Sequence, residues 1–515
     1  MQPKSLTLCL LFFGLAGALV AAGCRPAPLN RGAPPPPYQG TVVRVACPGE
    51  PAESVVRSHS RAWAARQGAR VKVLPYDPDR GPEGAAGADA WVIRPAELPR
   101  WAAAGRLQPL PETLTRADSP YQWRNLLPQY REQLLRWDGA DYGLPLLGES
   151  PLCCYRADLF ADPKHQRGFA QQFGHDHPGR GLKAPVTWEH FADIAQYFHE
   201  HTTTGRPAPS LPPLPADDGD LSREFFTIAA GTARRAVPVV ESADRASQPD
   251  EVFSFYYDLK TGQPRIDSPG FVYALRLLQR LQAYRPAAPS PRPAAAFADA
   301  GEGRPQTVLC LADSSWLLKF QQDPALRNRF GICPMPGGGR YFAFDTGTEH
   351  RTPEGNHVPY LGAGGWLLVV PKTSAQPEAA FDLLADLSGP ETSNQIALEP
   401  LQPGWGGGPV RYPQLKRERW DAFDLDATRT AELKEALHQT LLHPRLKNPV
   451  LCLRTPDEAV HQAELVKELR RALTAGKGAA AALKAVATAW RKRDEERGMA
   501  RHKEEYRISL GLLPR

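Results

Sequence analysis

An α/β fold in two lobes is what the sequence predicts, and three observations predict it. The chain has 515 residues, too many for one core at about 150 residues per domain. Thr41 to Leu74 sets a β-branched run, a helical spacing of apolar residues and a second β-branched run in succession; this βαβ pattern implies a right-handed crossover and a parallel sheet. Tyr142 to Phe160, YGLPLLGESPLCCYRADLF, places Gly148-Glu149-Ser150 between two apolar segments. A strand crossing between lobes needs that arrangement, with its polar middle exposed to a cleft.

The elements follow in order. Thr41 to Cys47 is a strand, Pro51 to Gln67 a helix with Ala52, Val55, Val56, His59 and Trp63 near helical spacing, and Arg70 to Leu74 a strand. Asp89 to Ile93 is a third strand, and Glu97 to Gly105 a helix stopped by glycine. Ligands of open α/β sheets meet the loops at the carboxyl ends of strands, here Pro48-Gly49-Glu50 and Arg94-Pro95-Ala96. Asp162 to Lys183 reads as irregular. Thr187 is the N-cap of a helix whose Trp188, Phe191, Ile194, Ala195 and Phe198 share a face. The proline-rich stretches Pro207 to Pro215 and Pro286 to Pro293 are surface connections around mostly helical sequence, including Phe271 to Tyr284. A strand from Thr307 to Leu311, an exposed Asp313-Ser314-Ser315 turn, a helix beginning near Trp316 and a strand from Gly331 to Cys333 come next. Trp366 to Val370 is a strand, followed by a helix opened by Pro377 and closed by Gly389. Thr455-Pro456-Asp457-Glu458 has the spelling of a capping box for a helical stretch running to about Arg493, broken at Gly476 to Gly478.

Composition narrows the function. The net charge of +6 is mild for this length, and no basic stripe suits a nucleic-acid groove. G-x-S-x-G, H-E-x-x-H and G-x-x-x-x-G-K are missing from the sequence, and no cofactor is implied. His199-Glu200-His201 and His175-Asp176-His177 read as solvated surface rather than as metal ligands. Lys4, the apolar run Leu6 to Val20 and Ala21-Ala22-Gly23-Cys24 occur in secretory order. They give a lipoprotein signal cleaved before Cys24, which would carry the lipid; an ordinary signal peptide with an incidental Cys24 is the other reading. Arg25 to Tyr38 then forms a stiff proline-rich tether. Cys47, Cys153, Cys154, Cys310, Cys333 and Cys452 read as buried thiols or as one or two disulfides of undetermined pairing.

Three blocks carry a family resemblance. The crossover spelling, the phrase DAWVIRPAELPRWAAAGRLQPL (Asp89 to Leu110) and the Thr187 helix, similar to "P-x-T-W-E-E-F", form the first. TVLCLADSSWLLKFQQDPALRNRFGICPMPGGG (Thr307 to Gly339) resembles "A-M-x-x-x-G-x-W" followed by "P-x-P-G-G", with Cys310 for the methionine and Ser314 for the glycine. GAGGWLLVVPKTSAQPEAAFDLLADLSGPETSNQIAL (Gly362 to Leu398) resembles "G-G-x-x-x-x-V-x-x-x-S-x-x-P-E-x-A" followed by "S-P-E-x-x". From roughly Thr41 to Arg493 the chain resembles the bacterial extracellular solute-binding proteins, family 1, the maltose-binding-like receptors of ABC importers. The resemblance implies the periplasmic-binding-protein fold, two α/β lobes joined by a hinge of crossing strands with the ligand between them. It divides the chain into a signal (1–23), lipidated Cys24 with its tether (24–40), a first lobe (41–147 and 339–401), a second lobe (148–338 and 402–500) and a tail (501–515). The crossings fall at Leu144 to Ser150, near Gly339 and near Gln402.

The resemblance also implies a role: a monomeric, exported, membrane-anchored receptor that faces the periplasm or exterior and hands a carbohydrate to an ABC permease. Glu149 would accept hydrogen bonds from ligand hydroxyls, and Glu149→Ala is expected to weaken binding without lowering the melting temperature of the ligand-free protein. Trp316 would stack on sugar C–H faces, with Trp366 and Trp405 as further aromatic candidates. Arg94, Glu50 and Asp313 are candidates by strand-end position alone; Arg94 facing the ligand would admit an acidic sugar. Two other readings stay open: a lipoprotein hydrolase acting on polysaccharide with paired acids, and a sensor of the same fold for another solute such as iron or polyamine.

Overall fold

The computed structural model describes residues 35–512 apart from 79, 176–180, 203–204, 237–249, 299–306, 399–406, 417–419, 421–422 and 443–448. The signal, Cys24 and Trp405 therefore lie outside the described residues. Eight strands position the site: β1 (Val42–Cys47), β2 (Arg70–Pro75), β3 (Ala90–Ile93), β4 (Gly143–Leu147), β5 (Pro151–Arg156), β6 (Leu309–Asp313), β7 (Phe330–Cys333) and β8 (Trp366–Val369).

The βαβ unit forms as the spacing requires. β1 and β2 are parallel, Val43 opposite Val71, and helix Ala52–Gln67 between them buries Val55, Val56 and Trp63. Gly68, left-handed at φ 67°, ends that helix, a conformation glycine adopts without a Cβ clash. The first sheet runs β2-β1-β3-β8-β4, and β8 is antiparallel to both neighbours, with Leu368 facing Val92 and Leu144. All four residues of β3 and of β8 are buried, as strands covered on both faces should be.

The second sheet runs β6-β5-β7, all antiparallel. β5 begins four residues after β4 ends, so the backbone passes from one sheet to the other through Gly148-Glu149-Ser150. Successive side chains of β5 face opposite sides of the sheet. Cys154, opposite Cys310, joins the core cluster that includes Val45, Val92 and Leu367, whereas Cys153, opposite Cys333, joins the cluster of Phe191, Phe225, Tyr257 and Trp490. The three-stranded sheet is thus the wall between the two cores.

Several expectations change in detail. The crossing placed near Gly339 lies later: Gly338–Phe342 pairs in a hairpin with Glu349–Asn356, and the chain enters the first sheet only at Trp366. Gln402 is outside the described residues, but the return is visible just beyond it, where the Gly407 N–H donates to the Gly148 carbonyl at 3.2 Å. Asp162 to Lys183 is not wholly irregular: Pro163–Phe173 is a helix capped by Asp162, with only Phe169 and Phe173 buried, too short an apolar stripe to announce itself. The Thr455 capping box does not form. Helix Glu458–Thr474 starts after Asp457 without a side-chain cap, because the Asp457 carboxylate is held by Arg493 at 2.9 Å and Arg497 at 3.1 Å from the next helix. Thr187 does cap helix Trp188–Glu200, accepting from the His190 N–H at 3.2 Å.

Candidate functional site

Between the two sheets is a cavity of about 430 Å³, lined from the first sheet's loops by Pro48, Arg94 and Trp366, from the crossover by Glu149 and Ser150, and also by Arg223, Asp313, Trp316 and Tyr360, among others. It sits at the carboxyl ends of β1 and β3, where an open α/β sheet receives ligands.

The crossover is clamped rather than loose. A Cβ on Gly148 would stand 2.3 Å from the Gly408 carbonyl oxygen, and one on Gly408 2.2 Å from the Glu149 carbonyl oxygen; only glycine lets the two crossing strands touch. The Ser150 hydroxyl lies 2.6 Å from the Ser314 hydroxyl and accepts the Ser314 N–H at 2.9 Å, fastening the crossover to the turn after β6.

Glu149 was expected in the open and is buried, with Ser150 beside it. Its carboxylate accepts from the Gly362 amide and, at 3.0 Å, from the Gly364 amide. Burial pushes its pKa up to about 7 against the pull of those amides and of Arg223. Glu149 both lines the cavity and ties β4 to the segment entering β8. Asp313 and its turn were also expected to be exposed. Ser314 and Ser315 are buried, and the Asp313 carboxylate caps the turn, accepting from the Ser315 N–H at 2.9 Å and from its hydroxyl. Burial raises the Asp313 pKa.

Two tryptophans of the first core line the cavity. Trp366 opens β8 behind Gly364-Gly365, with the Arg94 guanidinium 5.8 Å from its ring centre, a cation–π distance. Trp316 stacks on Phe320 at 5.8 Å and has the Lys319 ammonium 5.3 Å from its ring. Both rings are largely buried. Glu50 does not line the cavity; its Oε2 accepts from the Ser54 N–H at 3.2 Å at the start of the first helix.

Charged residues on helix Asp218–Ala233 complete the site and were missed. Arg223 pairs with Asp220 at 3.0 Å, and its Nε is buried without a protein partner. Burial opposes its charge, yet Asp220, Glu149 and Asp313 together raise its pKa. Glu224 forms a buried ion pair with Arg285, which also donates to the Pro212 and Pro213 carbonyls at 3.3 and 3.2 Å. Helix period alone gives no sign of them, since their role depends on a helix and a proline-rich connection meeting at the cleft. Tyr360, two residues before Gly362, was likewise unmarked.

Comparison with known proteins agrees with this geometry. No curated protein matches the sequence. Among solved structures, a maltose-bound MalE3 of T. maritima is similar at TM-score 0.62 and 17% identity, covering 88% of this chain and 100% of that one. The sugar-binding protein MalE of Xanthomonas citri is similar at TM-score 0.59 and 17% identity, covering 89% and 100%. An ABC transporter solute-binding protein of Agrobacterium radiobacter K84, in complex with ribitol, gives TM-score 0.59 at 16% identity, covering 89% and 100%. These likenesses establish the fold. The family model for bacterial extracellular solute-binding proteins matches residues 79–412, a span that includes β3, the crossover, β8 and the return beside Gly148, and the chain belongs to that family.

Proposed function

We propose that the protein binds a carbohydrate between its lobes and delivers it to an ABC permease from an exported position, anchored through Cys24. The observation that carries the reading is a cleft flanked by Trp316 and Trp366 in which cations and carboxylates alternate, Arg223 paired with Asp220 and Arg285 with Glu224, beside Arg94, Glu149 and Asp313. Such a site offers many hydrogen-bond donors and acceptors of both signs beside two tryptophans, which suits a polyhydroxylated ligand better than a simple ion. Ligands recorded with structural neighbours, maltose and ribitol, are of that class. Contacts from both lobes would favour a closed state, the hinge transition by which a ligand shifts such an equilibrium.

A thermal-shift screen against sugars, polyols, sugar acids, amino acids and polyamines tests the reading. A ligand at a hundredfold over its dissociation constant adds about 2.7 kcal/mol. A neutral sugar that raises the melting temperature and is recovered intact supports the proposal; a cleaved sugar points to a hydrolase instead, and a response to polyamines alone overturns the carbohydrate class.

A further inference from the structure

A second cavity of about 380 Å³ adjoins the first and shares four lining residues with it, Pro151, Thr227, Met335 and Tyr360. Those four residues stand between the two cavities, and the rest of their walls differ. The cleft carries Arg94, Glu149, Asp220, Arg223 and Asp313, whereas the annex is walled by Pro185, Val186, Pro334, Val358 and Pro359. Proline has no N–H to donate. Two of the annex carbonyls are already used: Val186 accepts from the Gly337 N–H and Pro359 from the Val450 N–H, each at 2.9 Å. Against that proline and valine wall a sugar ring would leave water and find few replacement hydrogen bonds, which costs free energy. A hydrocarbon group would gain from the same surface.

Resting on the carbohydrate reading, we infer that the cleft takes a glycoside with an apolar aglycone, its sugar between Trp316 and Trp366 and its alkyl or aryl group in the proline-walled annex. The polar residues Glu435, Gln439 and Thr440, on helix Ala427–Leu441, and His357 also line the annex, and the alkyl or aryl group would pack against its proline and valine wall.

Isothermal titration of the full chain with maltose, maltotetraose and hexyl β-maltoside below its micelle concentration tests this. Hexyl maltoside should bind at least about tenfold tighter than maltose, a modest part of what burying six methylene-sized groups offers. Val186→Glu, which charges the wall, and Ala184→Trp, which fills it, should each cut that gain to under about twofold and leave maltose affinity unchanged. Equal affinity for maltose and hexyl maltoside overturns the inference alone, as does a gain for maltotetraose equal to that for the alkyl glycoside. Binding of none of the three overturns the inference together with the carbohydrate reading.

Discussion

The Glu149 Oε2 accepts the Gly364 amide at 3.0 Å while Oε1 accepts the Gly362 amide, so one buried carboxylate holds the crossover against the strand that returns to the first sheet. Its removal strands two donors. Glu149→Ala is therefore expected to destabilise the ligand-free protein by about 2–6 kcal/mol, at 1–3 kcal/mol for each backbone donor left unpaired, in addition to weakening ligand binding. Urea unfolding without ligand measures it, and an unchanged midpoint would return Glu149 to the purely ligand-facing role its sequence position suggests.

The same carboxylate makes stability depend on pH. Burial raises its pKa from 4.5 to about 7. Between those values the folded chain keeps a proton that the unfolded chain has released, so the contribution of Glu149 to stability is fully present below about pH 4.5 and is lost as pH rises through 7. The loss is on the order of 3 kcal/mol. His502, whose pKa is lowered by burial, acts with the opposite sign: its contribution is lost as pH falls below its unfolded value. Comparing wild type with Glu149→Gln cancels the histidine. The mutant should lack the decline between pH 5 and 8, and parallel stability curves would refute the assignment.

Much of this site was legible because its residues sit where short-range pattern decides structure. β-branched runs, Thr187 before Trp188 and glycines before Trp366 announce strands, caps and close approaches without any partner. Exposure was misjudged at Glu149 and Asp313 because a polar residue in a loop looks solvated until its partners are known, and these are Gly362 and Gly364 in one case and Ser315 in the other. Arg223 and Arg285 were illegible for a related reason. Their partners Asp220 and Glu224 become meaningful only when helix Asp218–Ala233 is set against the cleft.

Trp316 stacks on Phe320 inside the first core and also reaches the cavity. Trp316→Ala should accordingly cost about 3–5 kcal/mol of stability, as for other buried aromatics, and weaken sugar binding. Trp316→Phe should recover most of the stability and less of the binding. Chemical denaturation and titration on the same preparations separate the two effects; a stable Ala variant with lost binding would make Trp316 a ligand contact only.

Among the described residues the cysteines are Cys47, Cys153, Cys154, Cys310, Cys333 and Cys452, all buried and unpaired. Burial raises the thiol pKa of Cys153 and Cys154 well above its ordinary value, which removes the reactive thiolate. With Cys9 and Cys24 replaced by serine, a thiol reagent such as Ellman's should label none of the six in the native protein and all of them in guanidinium. Fewer than six after unfolding would reveal a disulfide.

Gly148 and Gly408 bring two crossing strands into backbone contact, and the consequence is a hinge with no room for a methyl group. A Cβ on Gly408 would meet the Glu149 carbonyl oxygen at 2.2 Å and carbon at 2.3 Å, both backbone atoms that no rotamer change can move. Gly408→Ala must therefore spread the crossing, at about 1–3 kcal/mol for an overpacked site, and would shift Glu149 away from Gly362 and Gly364. Gly84→Ala is the control: nothing lies within 4 Å of its added Cβ, so stability should hold or rise slightly, by up to about 1 kcal/mol. Unfolding midpoints and ligand titrations of both variants decide it. A Gly408→Ala protein as stable and as tightly binding as the control would mean that the strands cross with slack, and that the hinge is set elsewhere.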